Sequence, residues 1–574
     1  MFITRISIRA LSFLLVGAAC LCGVAFAGSG NNAVPYVDAS LVPASIKPGG
    51  SGFTLTVNGA GFVSSSVVNW NGSTRVTTFV SNTQLIASIL AADIASKGTA
   101  SITVSSPPPG GGSSNVVFFP ILNTVRIITG AEQVVSDAVS SQVVADFNHD
   151  GKLDLVGVAS GYDVEVFLGK GDGSFQTPIS VSGGCNGSLI AADFNGDGNT
   201  DLAQLCGNGL QIFLGNGDGT FQSPMPTGSF GAVFAVAAGD FNHDGNIDLA
   251  VADTDSLSTY AGEVSILLGN GNGTFQSPTH FALGTFAQLG MFIIVSDFNN
   301  DGSLDLAVAS QSSNAVSILL GNGDGTFQVM AAVSVGFSPN TLAAADFNVD
   351  GRMDLVMASR DPDVFVLLGN GDGTFASPVG YRVPAPSLGG LSIGDFNGDG
   401  IIDVAVSTYS SSSTTISVLL GKGDGTFKPA SNLGNALLET NTLNVGDFNG
   451  DGWLDFVVGS AFGATNVYLQ APFAASVQPG SLKFAAQKVG TSSSPQQVWL
   501  SNTGEMTLRI SGIRTKGEFT QTNNCGLSVP VRGTCTVYVT FTPTETGTRK
   551  GQLTFGDSAT NSPQLVALTG TGTN

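Results

Sequence analysis

Nine-residue segments of the form D-x-N-x-D-G-x-x-D occur seven times in this chain, and they limit what it can fold into more than any other feature. Their first aspartates are Asp146, Asp193, Asp240, Asp297, Asp346, Asp395 and Asp447, spaced by 47, 47, 57, 49, 49 and 52 residues. A period in that range, in a chain written in short strands and turns, points to a propeller or a solenoid. Each unit repeats one order of parts. An apolar strand ("VFAVAAGDF", 233–241) enters the acidic loop and a second strand ("IDLAVAD", 247–253) leaves it. A variable loop, a third strand ("VSILLGN", 264–270), a tight "GNGTF" turn and a fourth extended segment follow. Four antiparallel strands joined by hairpins make one propeller blade.

The ends of the array separate the two architectures. The seventh unit stops after its third strand, "NVYLQ" at 466–470, while "TVRIITG" at 124–130 precedes the first unit with no blade of its own. A ring closed by completing the last blade with 124–130 leaves few open strand edges, whereas a solenoid needs no such exchange. The expectation is a seven-bladed propeller over 124–470.

Within each acidic loop the oxygen-bearing residues fall at positions 1, 3, 5 and 9, with Gly at position 6 permitting a sharp bend. They are Asp146, Asn148, Asp150 and Asp154; Asp193, Asn195, Asp197 and Asp201; Asp240, Asn242, Asp244 and Asp248; Asp297, Asn299, Asp301 and Asp305; Asp346, Asn348, Asp350 and Asp354; Asp395, Asn397, Asp399 and Asp403; and Asp447, Asn449, Asp451 and Asp455. Position 7 is Lys152, Asn199, Asn246, Ser303, Arg352, Ile401 or Trp453. No single side-chain chemistry fits that set, so position 7 is expected to contribute its backbone carbonyl. An all-oxygen cage of irregular shape favours Ca²⁺ over zinc, copper or Mg²⁺. Singly such segments are ordinary Asp/Asn/Gly turns, but three carboxylates converging without a cation repel one another. The 21 motif aspartates are half of the 42 acidic residues. About seven Ca²⁺, one per blade in a structural role, are expected.

The second recurring element, "GNGDGTF" and its variants, begins at Gly169, Gly215, Gly269, Gly321, Gly369 and Gly421. No helix or Lys-Ser/Thr follows, so a phosphate loop is set aside for a hairpin turn with a core-facing aromatic. The "DF" and "TF" phenylalanines, 13 of 37, are expected to wedge between blades.

The pattern "VxxxDFNxDGxxDLAVxxxxxxxVSILLGNGDGTF" resembles the FG-GAP/VCBS repeat of bacterial surface proteins, related to the propeller of integrin α subunits. The resemblance implies an integrin-like propeller with Ca²⁺ in a hairpin of each blade. In integrins only some blades carry such a loop and position 3 is usually Asp; here all seven do, with Asn at position 3. Residues 33–120, with "GFTLTVNGAGF", "SVVNW", "TQLIASI" and "ASITVSS", resemble an IPT/TIG immunoglobulin-like domain. "PPPGGGSS" at 107–114 is read as a hairpin loop inside it, because "NVVFFPI" reads as a last strand. Residues 474–574, with "SLKFAAQKVGTSSSPQQVWLSNTGEMTLRISGI", resemble an ASH/HYDIN-type immunoglobulin-like domain. The expected fold is therefore all-β: a seven-bladed propeller flanked by two β-sandwiches.

Residues 1–27 read as a signal peptide: Arg5 and Arg9, the apolar run "ALSFLLVGAACLCGVAF", then Ala25-Phe26-Ala27. The run is short for a span, so a secreted or cell-surface protein without membrane insertion after cleavage is expected. Cys185, Cys206, Cys525 and Cys535 remain beyond the leader and invite two local bridges, Cys185–Cys206 and Cys525–Cys535. A charge of −21, about −23 without the leader's arginines, argues against nucleic acid.

Catalytic sets are scarce. His149 and His243 fall at position 4 of acidic loops, His280 stands alone, and no nucleophile–base motif appears. The reading is a non-enzyme: an adhesion or recognition module for a protein or glycan ligand. A carbohydrate-binding lectin or polysaccharide-active enzyme is the alternative, and a structural part of a surface assembly a third. The ligand is expected on the face opposite the acidic loops, where "DTDSLSTYAGE" (253–263), "GTFAQLGM" (284–291), "PAPSLGG" (384–390) and "STYSSSSTT" (407–415) lie, with Tyr260, Phe286, Phe292 and Tyr409 as candidate contacts.

Overall fold

The computed structural model describes residues 31–574 apart from 123–128, 136–138, 160, 255–260, 285–290, 360–361, 386, 410–413, 437–441, 460–464, 471–474, 504–507, 531, 558 and 560–561. The leader, Tyr260 and Phe286 lie outside the described residues. Those described are all-β, with one 3-10 turn at Ala91–Ile94 and no α-helix.

Seven antiparallel sheets follow from the repeat. The first is Val139–Ala145, Asp154–Ala159, Val164–Phe167 and Ile179–Val181; the third is Val233–Gly239, Asp248–Thr254, Gly262–Leu267 and Thr279–Gly284. In each sheet the acidic loop joins the first strand to the second. The first strands of successive sheets pack side by side, and Thr442–Gly446 of the seventh packs against Val139–Ala145 of the first, closing a ring. The seventh sheet takes its fourth strand from Thr129–Val135, which pairs antiparallel with Thr465–Gln470. This strand runs five residues past the expected 124–130, and 124–128 lie outside the described residues.

The phenylalanines tie sheet to sheet in a regular way. Phe147, Phe194, Phe241, Phe298 and Phe347, each after the first loop aspartate, meet Phe221, Phe275, Phe327, Phe375 and Phe427 from the turn of the next sheet, edge to face at 5.6–5.8 Å. Phe448 of the seventh sheet meets Phe175 of the first at 5.9 Å, so the pattern crosses the closure. Alongside, the third glycine of the turn donates its N–H to the carbonyl of the same phenylalanine, as Gly219 does to Phe147 (3.1 Å) and Gly173 to Phe448 (2.9 Å). A Cβ on Gly219, at φ +83°, would strike Leu168, so this turn admits only glycine. The turn is thus a latch between sheets as well as a hairpin.

Residues before the ring form two sheets over one core that includes Trp70 and Phe119, their rings 5.3 Å apart. Gly112–Ser113 and Val117–Ile121 both pair with Gly98–Ser106, which puts 107–114 inside this module. Residues 475–573 form two further sheets over a second core. Cys185–Cys206 and Cys525–Cys535 are bonded, with Cα atoms 5.6 and 4.9 Å apart.

Candidate metal centres

The seven acidic loops share one geometry, save that Asn397 at position 3 of the sixth accepts no N–H. The first-position carboxylate accepts the N–H groups of positions 5 and 6, as Asp240 does from Asp244 (3.1 Å) and Gly245 (3.0 Å). The third-position Asn242 accepts the Asp244 N–H through Oδ1 (3.0 Å), and Asp244 accepts that of Asn246 (2.9 Å). Position 6 is glycine at φ +80° to +92° in every copy. Position 4 is also left-handed, at φ 58° in His149, His243, Asn300 and Val349 and 69–72° in Gly196, Gly398 and Gly450. That second constraint was hidden by its varied residues. His149 reaches Asn199 Oδ1 of the next loop at 3.2 Å, and burial lowers the affinity of His243 for its proton.

The ninth-position aspartate has a role the spacing did not reveal. Asp201 accepts the Phe194 N–H at one oxygen (2.9 Å) and the Gly215 N–H at the other (2.7 Å). The same pair of bonds recurs at Asp154, Asp248, Asp305, Asp354 and Asp403, and at Asp455 with Gln470 replacing the glycine. This carboxylate therefore ties the acidic loop to the start of the glycine turn.

Burial pushes these carboxyls up: Asp154 and Asp201 to about 6, Asp354 to about 7, Asp248 and Asp305 to about 8, with the loop's other carboxylates adding to it. Asp403 and Asp455 are likewise raised well above the ordinary carboxylate range, by burial first and by the neighbouring carboxylates. Their two N–H bonds hold the ionised form while burial and like charge oppose it, a conflict that a cation resolves. In the sixth loop Asn397 is buried and its Oδ1 has no hydrogen-bond partner. An oxygen left unpaired beside buried carboxylates fits a hard cation. Lys152 departs from that picture, its ammonium 3.0 Å from Asp150 Oδ2 in the first loop.

The first module docks on the loop-bearing face of the ring. Val34 donates its N–H to Asp240 Oδ2 (2.8 Å), Asn82 Nδ2 donates to the Asp301 carbonyl (2.7 Å), Ala44 N–H to the Gly400 carbonyl (3.2 Å) and Thr99 Oγ1 to Asp447 Oδ2 (2.8 Å). Ser45 bonds the Asp395 carboxylate. Added Cβ atoms on Gly245, Gly302 and Gly452 would collide with this module, whereas Gly151, Gly198 and Gly351 face open space. Loops three, four, six and seven are thus covered and loops one and two are not; loop five is open at Gly351 but meets the module at Met353, whose Sδ lies 3.9 Å from Ser40 Oγ. Buried Asp38 accepts a bond from buried Ser296 (2.9 Å), and burial pushes it up to about 7.

At the far end of the third sheet His280 has company, contrary to its isolation in the sequence. Asp253, Glu263 and His280 bring ligand-type atoms within 4.8 Å of one another. The expected ligand aromatics fare differently. Phe292 is half-buried against the core between the fourth and fifth sheets, because alternation along Met291–Ser296 turns it inward. Tyr409 ends the strand Asp403–Tyr409.

A family model described as FG-GAP-like repeat matches residues 146–204, 193–251, 252–308, 297–357, 346–406 and 395–458. An IPT/TIG domain model matches 37–120 and an ASH (ASPM-SPD-2-Hydin) model 467–565. No curated protein sequence matches the chain. Among solved structures, an Agrocybe aegerita lectin recognising non-reducing terminal N-acetylglucosamine is 18% identical, over 64% of this chain and 96% of its own, at a TM-score of 0.41. An auxiliary nutrient binding protein from Bacteroides ovatus is 12% identical over 76% and 98%, at 0.33. A human PapD-like ASH domain is 13% identical over 17% and 85%, at 0.15. The domain content is that of non-catalytic recognition and structural modules. No helix among the described residues is long and apolar enough to cross a membrane, and the two disulfides are compatible with an extracellular protein.

Proposed function

The chain belongs to the FG-GAP-like repeat family, and from that premise we propose that it is an exported, calcium-stabilised seven-bladed propeller acting as a recognition module for a protein or glycan ligand. The carrying observation is sevenfold: every repeat holds an oxygen-bearing loop bent by a left-handed glycine and lined by carboxylates that burial drives toward protonation. Ca²⁺ held by positions 1, 3 and 5, the position 7 carbonyl and position 9 supplies the missing counter-charge. Asn at position 3 keeps an oxygen ligand at one less negative charge. Seven such ions bring the charge without the leader from about −23 to about −9.

Recognition falls to the ring face away from the acidic loops, because the first module occupies much of the near face. Elemental analysis of the purified protein is expected to return about seven Ca²⁺ per chain, and chelation to lower its melting temperature. A protein free of calcium whose melting temperature ignores EDTA overturns the metal assignment. Ligand capture is tested separately with glycan arrays and surface-protein pull-downs, each with and without EDTA; release of reducing or unsaturated sugars would overturn the non-enzymatic reading.

A further inference from the structure

The third repeat departs from its siblings at the end of the sheet away from its acidic loop. Thirteen residues after the first loop aspartate the other repeats carry Ala159, Cys206, Ser310, Ser359, Thr408 and Ser460; the third carries Asp253. The register of the sheet gathers the rest. Asp253 stands opposite Glu263 and Ser265 opposite His280, which puts all four on one face of three adjacent strands. That face is the one whose Val251 and Leu267 pack toward the second sheet. The group lies five residues along the strand from Asp248, about 17 Å away.

The contacts are specific. His280 Nδ1 lies 3.0 Å from Glu263 Oε1 and 2.8 Å from Ser265 Oγ. The Ser265 hydroxyl donates to Asp253 Oδ1 at 3.0 Å. Asp253 is fully buried, and its second oxygen, Oδ2, has no hydrogen-bond partner. Leaving a buried carboxylate oxygen unpaired is costly, and here it lies beside an imidazole and a second carboxylate. Ser265 is buried and commits its hydroxyl hydrogen to a bond with Asp253, so it is not presented as a nucleophile. It orients a ligand, as outer-shell partners of metal ligands do.

We propose that Asp253, Glu263 and His280 form a site for a single first-row transition cation of the Zn²⁺ class, distinct from the oxygen-only acidic loops. The imidazole nitrogen sets the selectivity, since Ca²⁺ takes oxygen ligands whereas mixed nitrogen–carboxylate sets suit Zn²⁺. Ligands at zinc distances sit about 3.4 Å apart in a tetrahedron; atoms already within 4.8 Å close to that spacing by a small turn of the half-exposed His280 ring. Three protein ligands leave a fourth position for water or an anionic group of a bound ligand.

The test is calorimetric titration of the calcium-saturated full chain with ZnCl₂ in excess Ca²⁺, paired with the visible absorption of the Co²⁺-loaded protein. One equivalent of Zn²⁺ is expected to bind. His280→Ala, on an exposed side chain, is expected to abolish both the Zn²⁺ heat and the cobalt band at unchanged melting temperature. Ser265→Ala is expected to weaken binding about 10–100-fold, the usual loss for an outer-shell partner. Absence of binding, or one equivalent that survives in both His280→Ala and Glu263→Gln, overturns the site.

Discussion

At the scale of single residues, each acidic loop makes two demands that its consensus does not display. Position 4 must be left-handed, yet the fifth loop places the exposed, β-branched Val349 there at φ 58°. Such a conformation costs an L-residue roughly 1–2 kcal/mol. Val349→Gly is therefore expected to raise stability by about 1 kcal/mol in urea denaturation, less whatever glycine gains in unfolded-chain entropy. Position 9 serves two N–H donors at once. Asp201→Asn turns one acceptor into a donor facing an N–H, and is expected to cost about 1–3 kcal/mol in EDTA as well as in Ca²⁺; a loss seen only in Ca²⁺ would show that the tether is dispensable. The raised carboxyls also fix the sign of a pH effect. Unfolded aspartates titrate near 4, but Asp154 and Asp201 are at about 6, Asp354 at about 7 and Asp248 and Asp305 at about 8 in the folded chain. The folded state binds more protons across that window, so the contribution is full below about pH 4 and lost as pH rises through 6 to 8. Metal-free protein should melt higher near pH 5 than near pH 8. Saturating Ca²⁺ should reverse the trend, since protons then compete with the ion.

At the scale of elements, the edge-to-face phenylalanine pairs and the glycine latch join each sheet to the next. Phe327 touches both Phe241 and Phe281 at 5.6 Å, so Phe327→Ala is expected to cost about 3–5 kcal/mol in denaturant titration. Phe396 has no partner of this kind, because the seventh sheet lacks the turn, and it leans on Phe456 at 5.0 Å instead. The seventh sheet is held by pairing with Thr129–Val135. This layer was largely legible in the sequence, for a physical reason: strand alternation, turn glycines and paired phenylalanines are local signals, copied six or seven times. The missing seventh turn announced the exchange of a strand, although the partner, Thr129–Val135, shares only its first two residues with "TVRIITG" and ends five residues past it. What was not legible depends on register between strands. Asp253 and Glu263 fell inside a variable loop and His280 looked solitary, because nine and sixteen intervening residues separate what the sheet lays side by side. Departure from the repeat at position 253 was the one available signal. Phe292, just past the loop 284–291, lies half-buried in Met291–Ser296, where alternation within the strand sets its direction.

At the scale of the whole molecule, the docked first module makes the seven loops unequal although their sequences are nearly alike. Nothing in residues 33–120 announces this, because the contacts pair main-chain groups and small polar side chains with partners more than 200 residues away. Covered loops present first-position carboxylates that bond across the junction, Asp240 to Val34, Asp395 to Ser45 and Asp447 to Thr99. Cation loss there leaves buried like charges facing a module held by few bonds, so chelation is expected to speed amide exchange at 31–34 and 98–101 while the module's own core strands stay protected. The converse follows from the same geometry. On the calcium proposal, an ion under the module can leave only when the module lifts, whereas loops one, two and five open to solvent at Gly151, Gly198 and Gly351. Stopped-flow release into a chelator should then be biphasic, with about three ions leaving fast and about four leaving slowly. Thr99→Ala removes the one side-chain bond to Asp447 and should move the seventh ion into the fast phase without touching a ligand. A single release rate in both proteins would mean that the module rides on the ring without gating it.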